Sequence, residues 1–144
     1  MMDAVTVNKI LTEAVRNGAC EKSSNATDWR SLVWLFFTPQ GAEFCAEHNY
    51  PSIDQFRAMS ERVREYGVFV DAGAIEATNP GNIGLTGCTE AMLTITDPTC
   101  VHKIIVMHGA KVRIKAGNYA VIRLYNIGDN CVTIENDGTA VIMQ

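Results

Sequence analysis

The sequence has no long apolar run. Its densest stretch, Leu32–Phe37, covers six residues, whereas a helix needs about 20 to cross a bilayer. A helical membrane span is therefore excluded. The N-terminus, MMDAVTVNKILTEAV, carries an acid at Asp3 and lacks the apolar core of a signal peptide. Together these absences point to a cytoplasmic protein with no membrane partner. CxxC is absent too. Five cysteines, Cys20, Cys45, Cys88, Cys100 and Cys131, are odd in number and irregularly spaced. In a cytosolic chain that pattern predicts reduced thiols, several of them buried as small apolar residues. The glycine-rich stretch Gly81–Gly87 has no lysine and leads into a strand rather than a helix, so turn formation explains it better than a phosphate loop. Charge is sparse, 19% of residues, and nets to −4. That balance argues against wholesale nucleic-acid binding but leaves room for a local basic patch.

What is present divides near residue 67. Residues 1–67 read as a helical unit of about four helices. The first spans about Asp3 to Asn17, with Val7, Ile10, Leu11, Ala14 and Val15 at helical spacing and Gly18 as its stop. Glu21–Thr27 is polar and reads as a loop. Thr27 or Asp28 caps a second helix whose Trp29, Leu32, Val33, Trp34, Leu35, Phe36 and Phe37 are apolar nearly all round, which requires burial on several sides. Thr38-Pro39 ends it and starts a third helix, about Pro39 to His48. Ser52 and Gln55 then form a capping box for a fourth, with Ile53, Phe56, Met59, Val63 and Tyr66 on one face and Gly67 at its end.

Residues 68–144 change period. Alternating apolar residues recur at Ala91, Leu93 and Ile95, at Ala110, Val112 and Ile114, and at Val132 and Ile134. Leu93 to Val112 and Ile95 to Ile114 are 19 apart; Val112 to Val132 and Ile114 to Ile134 are 20 apart. A second strand set lies between, at about Lys103–Met107, Tyr119–Tyr125 and Thr139–Met143. Turn signals separate them at Asp97-Pro98, His108-Gly109, Gly117-Asn118, Gly128-Asp129 and Asp137-Gly138. The fold class is thus α+β: a helical cap and a repetitive β region, packed as one compact unit. Two architectures fit the repeat, a short β-solenoid and a small antiparallel sandwich or barrel. Matched residue types at a near-constant offset favour the solenoid. Its first coil would be covered by the helical half. Its last strand, with Thr139, Val141 and Met143, would present an open edge, which predicts a homo-oligomer or another protein docked there.

Few side chains suggest chemistry. Cys100 and His102 share one face of a strand and are the best metal-ligand candidates, with Cys88 and His108 as additional ones. Their spacing matches no zinc motif, so neither a metal nor any other cofactor is assigned. Cys45 and His48 are three apart on one helix, a spacing that can pair a thiolate with a base, yet no third group orients the histidine. Asp71, Glu76 and Glu90 lie near glycine-rich turns with nothing to bring them together. The main surface feature is basic. Lys111, Arg113 and Lys115 alternate with Val112 and Ile114, and Tyr119, Arg123 and Tyr125 on the next strand also point outward. Basic and aromatic groups together suit a single-stranded nucleic acid, a phosphate ligand or an acidic protein. Cross-strand pairing competes with that reading, because the 20-residue offset sets Glu135 beside Lys115.

The segments Phe36-Phe-Thr-Pro-Gln-Gly-Ala-Glu-Phe-Cys45, Met107-His-Gly-Ala-Lys111 and Asn118-Tyr-Ala120 resemble small uncharacterised proteins of gut Bacteroides-type bacteria and their integrated, prophage-like elements. The resemblance covers most of the chain. It implies an accessory or mobile-element role and carries over no functional residue. The repeat, the open final strand and the lack of a convergent polar site together predict a non-enzymatic interaction or self-assembly module. A nucleic-acid or phosphate binder is the first alternative, and a metal- or thiol-dependent enzyme the second.

Overall fold

A computed structural model of the protein describes Val33, residues 37–48 and residues 52–144. The first predicted helix and the loop after it lie outside these residues. So does most of the second, of which Val33 is helical and Phe37 already forms a turn. The two complete helices described, rather than four, are α1 (Pro39–His48) and α2 (Ile53–Arg64). Thr38 caps α1: its Oγ1 accepts from the Gly41 N–H at 3.0 Å. The capping box of α2 is complete, since Ser52 Oγ accepts from Gln55 N at 3.2 Å and Gln55 Oε1 accepts from Ser52 N at 2.8 Å. Gly67 turns the chain into the β region at φ +90°. A Cβ there would stand 2.8 Å from the Asn82 carbonyl oxygen, so both conformation and space demand glycine.

Nine strands follow. They are β1 (Val68–Val70), β2 (Gly73–Thr78), β3 (Asn82–Thr86), β4 (Thr89–Ile95) and β5 (Val101–Met107), then β6 (Lys111–Ala116), β7 (Val121–Ile127), β8 (Cys131–Asn136) and β9 (Val141–Met143). Odd strands form a five-stranded sheet in the order β1-β3-β5-β7-β9. Even strands form a four-stranded sheet in the order β2-β4-β6-β8. Every pair is parallel. Each coil is therefore one strand in each sheet, the arrangement of a β-solenoid of about four turns, and the antiparallel sandwich is ruled out for these strands.

The predicted repeat holds in the last coils and slips in an earlier one. Val112 aligns with Val132, Ile114 with Ile134, Val121 with Val141 and Ile122 with Ile142. Leu93, however, aligns with Ile114 rather than Val112, an offset of 21 rather than 19. The turn after β4 is longer than the sequence pattern suggests. A slip of two residues keeps every side chain on its own face, so the apolar pattern alone does not reveal it. Tyr119 and Thr139, predicted as strand residues, lie in turns. At Asn118 and Tyr119 the backbone has φ +54° and +61°, which no strand accommodates.

Two apolar layers result. The interior, between the sheets, is filled by aligned aliphatic columns such as Ala77–Leu93–Ile114–Ile134. The second layer lies on the outer face of the five-stranded sheet. There Val68, Ile105, Met107 and Ile127 pack against Phe37, Cys45, Phe56, Met59 and Val63. The described helices thus lie along the outer face of the five-stranded sheet, and the rest of the predicted cap lies outside the described residues. The reason is visible in β5, where Ile104, Ile105, Val106 and Met107 are all buried, so both faces of that strand need cover. Among the described residues, the helix-to-solenoid junction also carries an ion pair. Arg57 Nε donates to Asp71 Oδ2 at 2.7 Å, while Asp71 Oδ1 accepts from Cys88 N at 2.8 Å.

Two outcomes follow from this packing. Ile114 is fully buried mid-column, so Ile114→Ala should lower the denaturant-derived unfolding free energy by about 2–5 kcal/mol. Ile134→Ala, at the half-buried end of the same column, should cost clearly less. The bonds from Arg57 and the Cys88 amide hold the Asp71 carboxyl below its ordinary value of 3.8. A carboxyl whose pKa is lower in the folded state stabilises the fold above the unfolded value and loses that contribution as pH falls through the folded one. Denaturant titrations at neutral and strongly acid pH should show a smaller acid-induced loss in Asp71→Asn than in the wild type.

Candidate functional site

The outer face of the four-stranded sheet is solvated. Lys111, Arg113 and Lys115 are all exposed there on β6, as alternation requires. Their aligned neighbours decide what they can do. Glu90 lies beside Lys111, with Nζ to Oε1 at 3.8 Å. Met92 and Thr133 flank Arg113, and Glu135 aligns with Lys115. Glu76 lies beyond Met92 on β2. Three exposed acids, Glu76, Glu90 and Glu135, thus match three cations on one face, so the stripe has no net charge with which to concentrate phosphates.

Arg123 and Tyr125 do not extend this stripe. They lie on β7, in the other sheet, on its outer face. The Arg123 guanidinium sits 5.4 Å from the Tyr125 ring centroid, and Tyr125 packs against the helix-facing cluster. The predicted basic-aromatic surface is therefore divided between opposite sides of the solenoid. Tyr119, 70% exposed, lies at a turn corner, where its N–H donates to Thr139 Oγ1 at 3.1 Å.

That corner collects most of the exposed large apolar residues described. Val101, Val121 and Val141 align across β5, β7 and β9. Val101 is 44% exposed, Val141 54% and Met143 37%. The predicted edge residues Thr139, Val141 and Met143 thus belong to a patch that also contains Val101 and Tyr119. Among the described residues, the end coil beside it is also less covered than the coil before it. Val132, Ile134, Ala140 and Ile142 are half-buried, whereas their counterparts one coil inward, Val112, Ile114, Ala120 and Ile122, are buried. Among the described strands, none pairs with the outward edges of β8 and β9.

The remaining candidates fall apart or come together as follows. Cys45 faces the apolar layer beneath α1, and burial pushes its thiol up to about 12. The His48 ring lies against Phe44, with centroids 4.5 Å apart. A buried neutral thiol is a poor nucleophile. Asp71 is committed to Arg57, away from Glu76 and Glu90 on the four-stranded sheet. The glycine-rich Gly81–Gly87 stretch is neither loop nor phosphate cradle, because Asn82–Thr86 forms β3 itself. Cys100 and His102 do meet, at the turn between β4 and β5, and Asp97 joins them. Their ligand atoms lie within 4.8 Å of one another. Cys88 and His108 lie at the opposite row of turns, where His108 meets the Phe56 ring edge-on at 5.6 Å. Asp97 escaped the sequence reading because its Asp-x-Thr turn reads as a plain turn signal. Its Oδ1 accepts from Thr99 N at 2.9 Å and from Thr99 Oγ1 at 2.6 Å. Those bonds hold its carboxyl below the ordinary value.

No protein-family model matches the chain, and neither does any curated protein or solved structure. The geometry is left to speak for the function. Among the described residues no helix is long and apolar enough to cross a membrane.

The cysteines give a direct check on this geometry. A thiol reagent added to the folded protein should modify Cys88, Cys100 and Cys131, which are exposed, and leave buried Cys45 unmodified until denaturant is added. Peptide mapping by mass spectrometry reads out each site.

Proposed function

We propose that this protein is a non-enzymatic interaction and self-assembly module, and that its open end coil and the adjoining apolar corner meet a second copy of the chain. The observation that carries the reading is the gathering of Val101, Tyr119, Val141 and Met143 at one corner, all more than a third exposed. Scattered exposed apolar residues need no explanation, but a contiguous group beside an unpaired strand edge marks an interaction site. The edge adds direction. Residues 131 and 141 send their N–H groups inward, to Ala110 O at 3.1 Å and Ala120 O at 2.9 Å. Parallel strands alternate, so Val132, Ile134 and Ile142 send theirs outward. Two end coils that meet can exchange these bonds and cover the half-buried interior residues in one step. A second copy is the partner that supplies an edge of matching length. The resemblance to accessory proteins of integrated elements suits such a module, and a cytoplasmic setting suits its exposed thiols.

The charge-balanced face around Arg113 does not favour the nucleic-acid reading. Sedimentation velocity over a wide concentration range tests self-assembly. The wild type should associate as concentration rises. Val141→Lys and Met143→Lys, both at exposed positions that should not disturb folding, should each weaken association by about tenfold or more, since a charge is then desolvated at the contact. A wild type that stays monomeric at high concentration, or association that both variants leave unchanged, would refute it.

A further inference from the structure

His102 is the buried one of the three histidines. It occupies an interior column that continues as Ile122 and Ile142, so a polar ring stands where the other positions are aliphatic. Its surroundings are unusual in one respect. Nδ1 lies 2.7 Å from the Pro80 carbonyl oxygen and Nε2 lies 2.9 Å from the Asp97 carbonyl oxygen. Both oxygens are acceptors only. A neutral imidazole has one N–H and one lone pair. Whichever nitrogen carries the hydrogen, the other points a lone pair at an oxygen, in a place with no exposure to water. A buried polar atom without a complementary partner is costly. A cation that takes the oxygen's place at that nitrogen removes the conflict.

The groups needed to hold such a charge are present. One ring nitrogen of His102, an Asp97 carboxylate oxygen and the Cys100 sulfur lie within 4.8 Å of one another. With the N–H on Nδ1, donating to the Pro80 oxygen, Nε2 is left as the ligand nitrogen. Metal-binding histidines commonly have this arrangement, with the second ring nitrogen donating to a backbone carbonyl and fixing the tautomer. One nitrogen, one sulfur and one carboxylate oxygen form a donor set that suits zinc and rejects magnesium or calcium. We propose that Asp97, Cys100 and His102 bind a zinc-class divalent ion, with a fourth position open to water. The ion clasps the longest of the described turns between coils, where the offset expands to 21 residues. Cys100 Sγ stands 3.7 Å from Nε2 and 4.0 Å from Nδ1. It therefore lies beside the ring rather than on the Nε2 axis. Ligation requires the Asp97 carbonyl oxygen, 2.9 Å from Nε2, to turn aside, the exposed Cys100 side chain to rotate and its thiol to release a proton to solvent.

The site is independent of self-assembly and is tested separately. The full-length reduced protein is titrated with cobalt(II), a spectroscopic stand-in for zinc, and zinc content is measured after equilibrium dialysis. The expected result is one ion per chain, with a thiolate-to-cobalt charge-transfer band that zinc displaces. Cys100→Ser, an exposed substitution that should leave the fold intact by circular dichroism, should abolish the band and weaken binding at least tenfold. Asp97→Asn should weaken binding with the band retained. Cys88→Ser should behave as the wild type. No stoichiometric binding, or a band that survives Cys100→Ser, overturns the proposal. So does a His102 ring that carries hydrogen on both nitrogens in its nitrogen-15 spectrum and does not respond to zinc, because a proton would then fill the role assigned to the metal.

Discussion

Every coil of this protein depends on the next through parallel, in-register backbone pairing. A strand buried on both faces has no water to satisfy its N–H and C=O groups, so its neighbours must do so. Register then dictates side-chain placement. Once Ile114 pairs with Leu93 on one side and Ile134 on the other, the interior column must be apolar throughout, and the turns must have the length that keeps it so. The early offset of 16, seen from Val68 to Gly84 and from Gly73 to Thr89, expands to 21 and then 20 without disturbing either sheet. Turn length is free so long as strands realign. The turns secure that alignment with side chains: Asn79 Oδ1 accepts from Thr96 N, Asn118 Nδ2 donates to Thr96 O, and Gly109 N donates to Asn130 Oδ1. Each of these bonds links one coil to the next.

The helices follow from the same constraint. Only the five-stranded sheet is apolar on its outer face, at Val68, Ile105, Met107 and Ile127. The opposite sheet places Glu90, Arg113 and Glu135 outward and needs no cover. An amphipathic α2 whose Phe56, Met59 and Val63 are buried meets the one face that requires it. In energetic terms the preference is strong. Each large apolar side chain buried there contributes about 1.5–3 kcal/mol, whereas an exposed pair such as Lys111 and Glu90 contributes about 1 kcal/mol at most.

Much of this was legible in the residues. Helical spacing and a capping box located α2, and period-two alternation located β4, β6 and β8, because local chemistry determines both. Val112–Val132 and Ile114–Ile134 gave the late repeat. What failed did so for a physical reason. Face and register are different quantities in a strand: alternation reveals the first and is blind to a slip of two, which is how Leu93 was matched to the wrong partner. The side of attachment was also hidden. The buried run Ile104–Met107 shows that β5 has two covered faces, but it does not say which element covers the second. The basic-aromatic surface failed likewise. Lys111 and Arg123 both point outward, and only the alternation of strands between two sheets shows that outward means opposite directions.

His102 was legible as a residue and illegible as a problem. Spacing put it beside Cys100, but its significance lies in two carbonyl oxygens, Pro80 O and Asp97 O, that belong to different coils. Backbone acceptors have no signature in a sequence. Position within the solenoid explains why chemistry gathers there. Interior columns tolerate little beyond aliphatic groups, since an unmatched polar atom within them costs about 1–3 kcal/mol. The outer face of the four-stranded sheet costs little to alter, and for that reason holds its charges in balance. Turns lie between these limits. They are supported by the stacked coils yet reach solvent, so Asp97 and Cys100 can present ligand atoms while His102 remains anchored in the core. A turn is therefore where this architecture can hold a reactive group in fixed geometry without opening its interior.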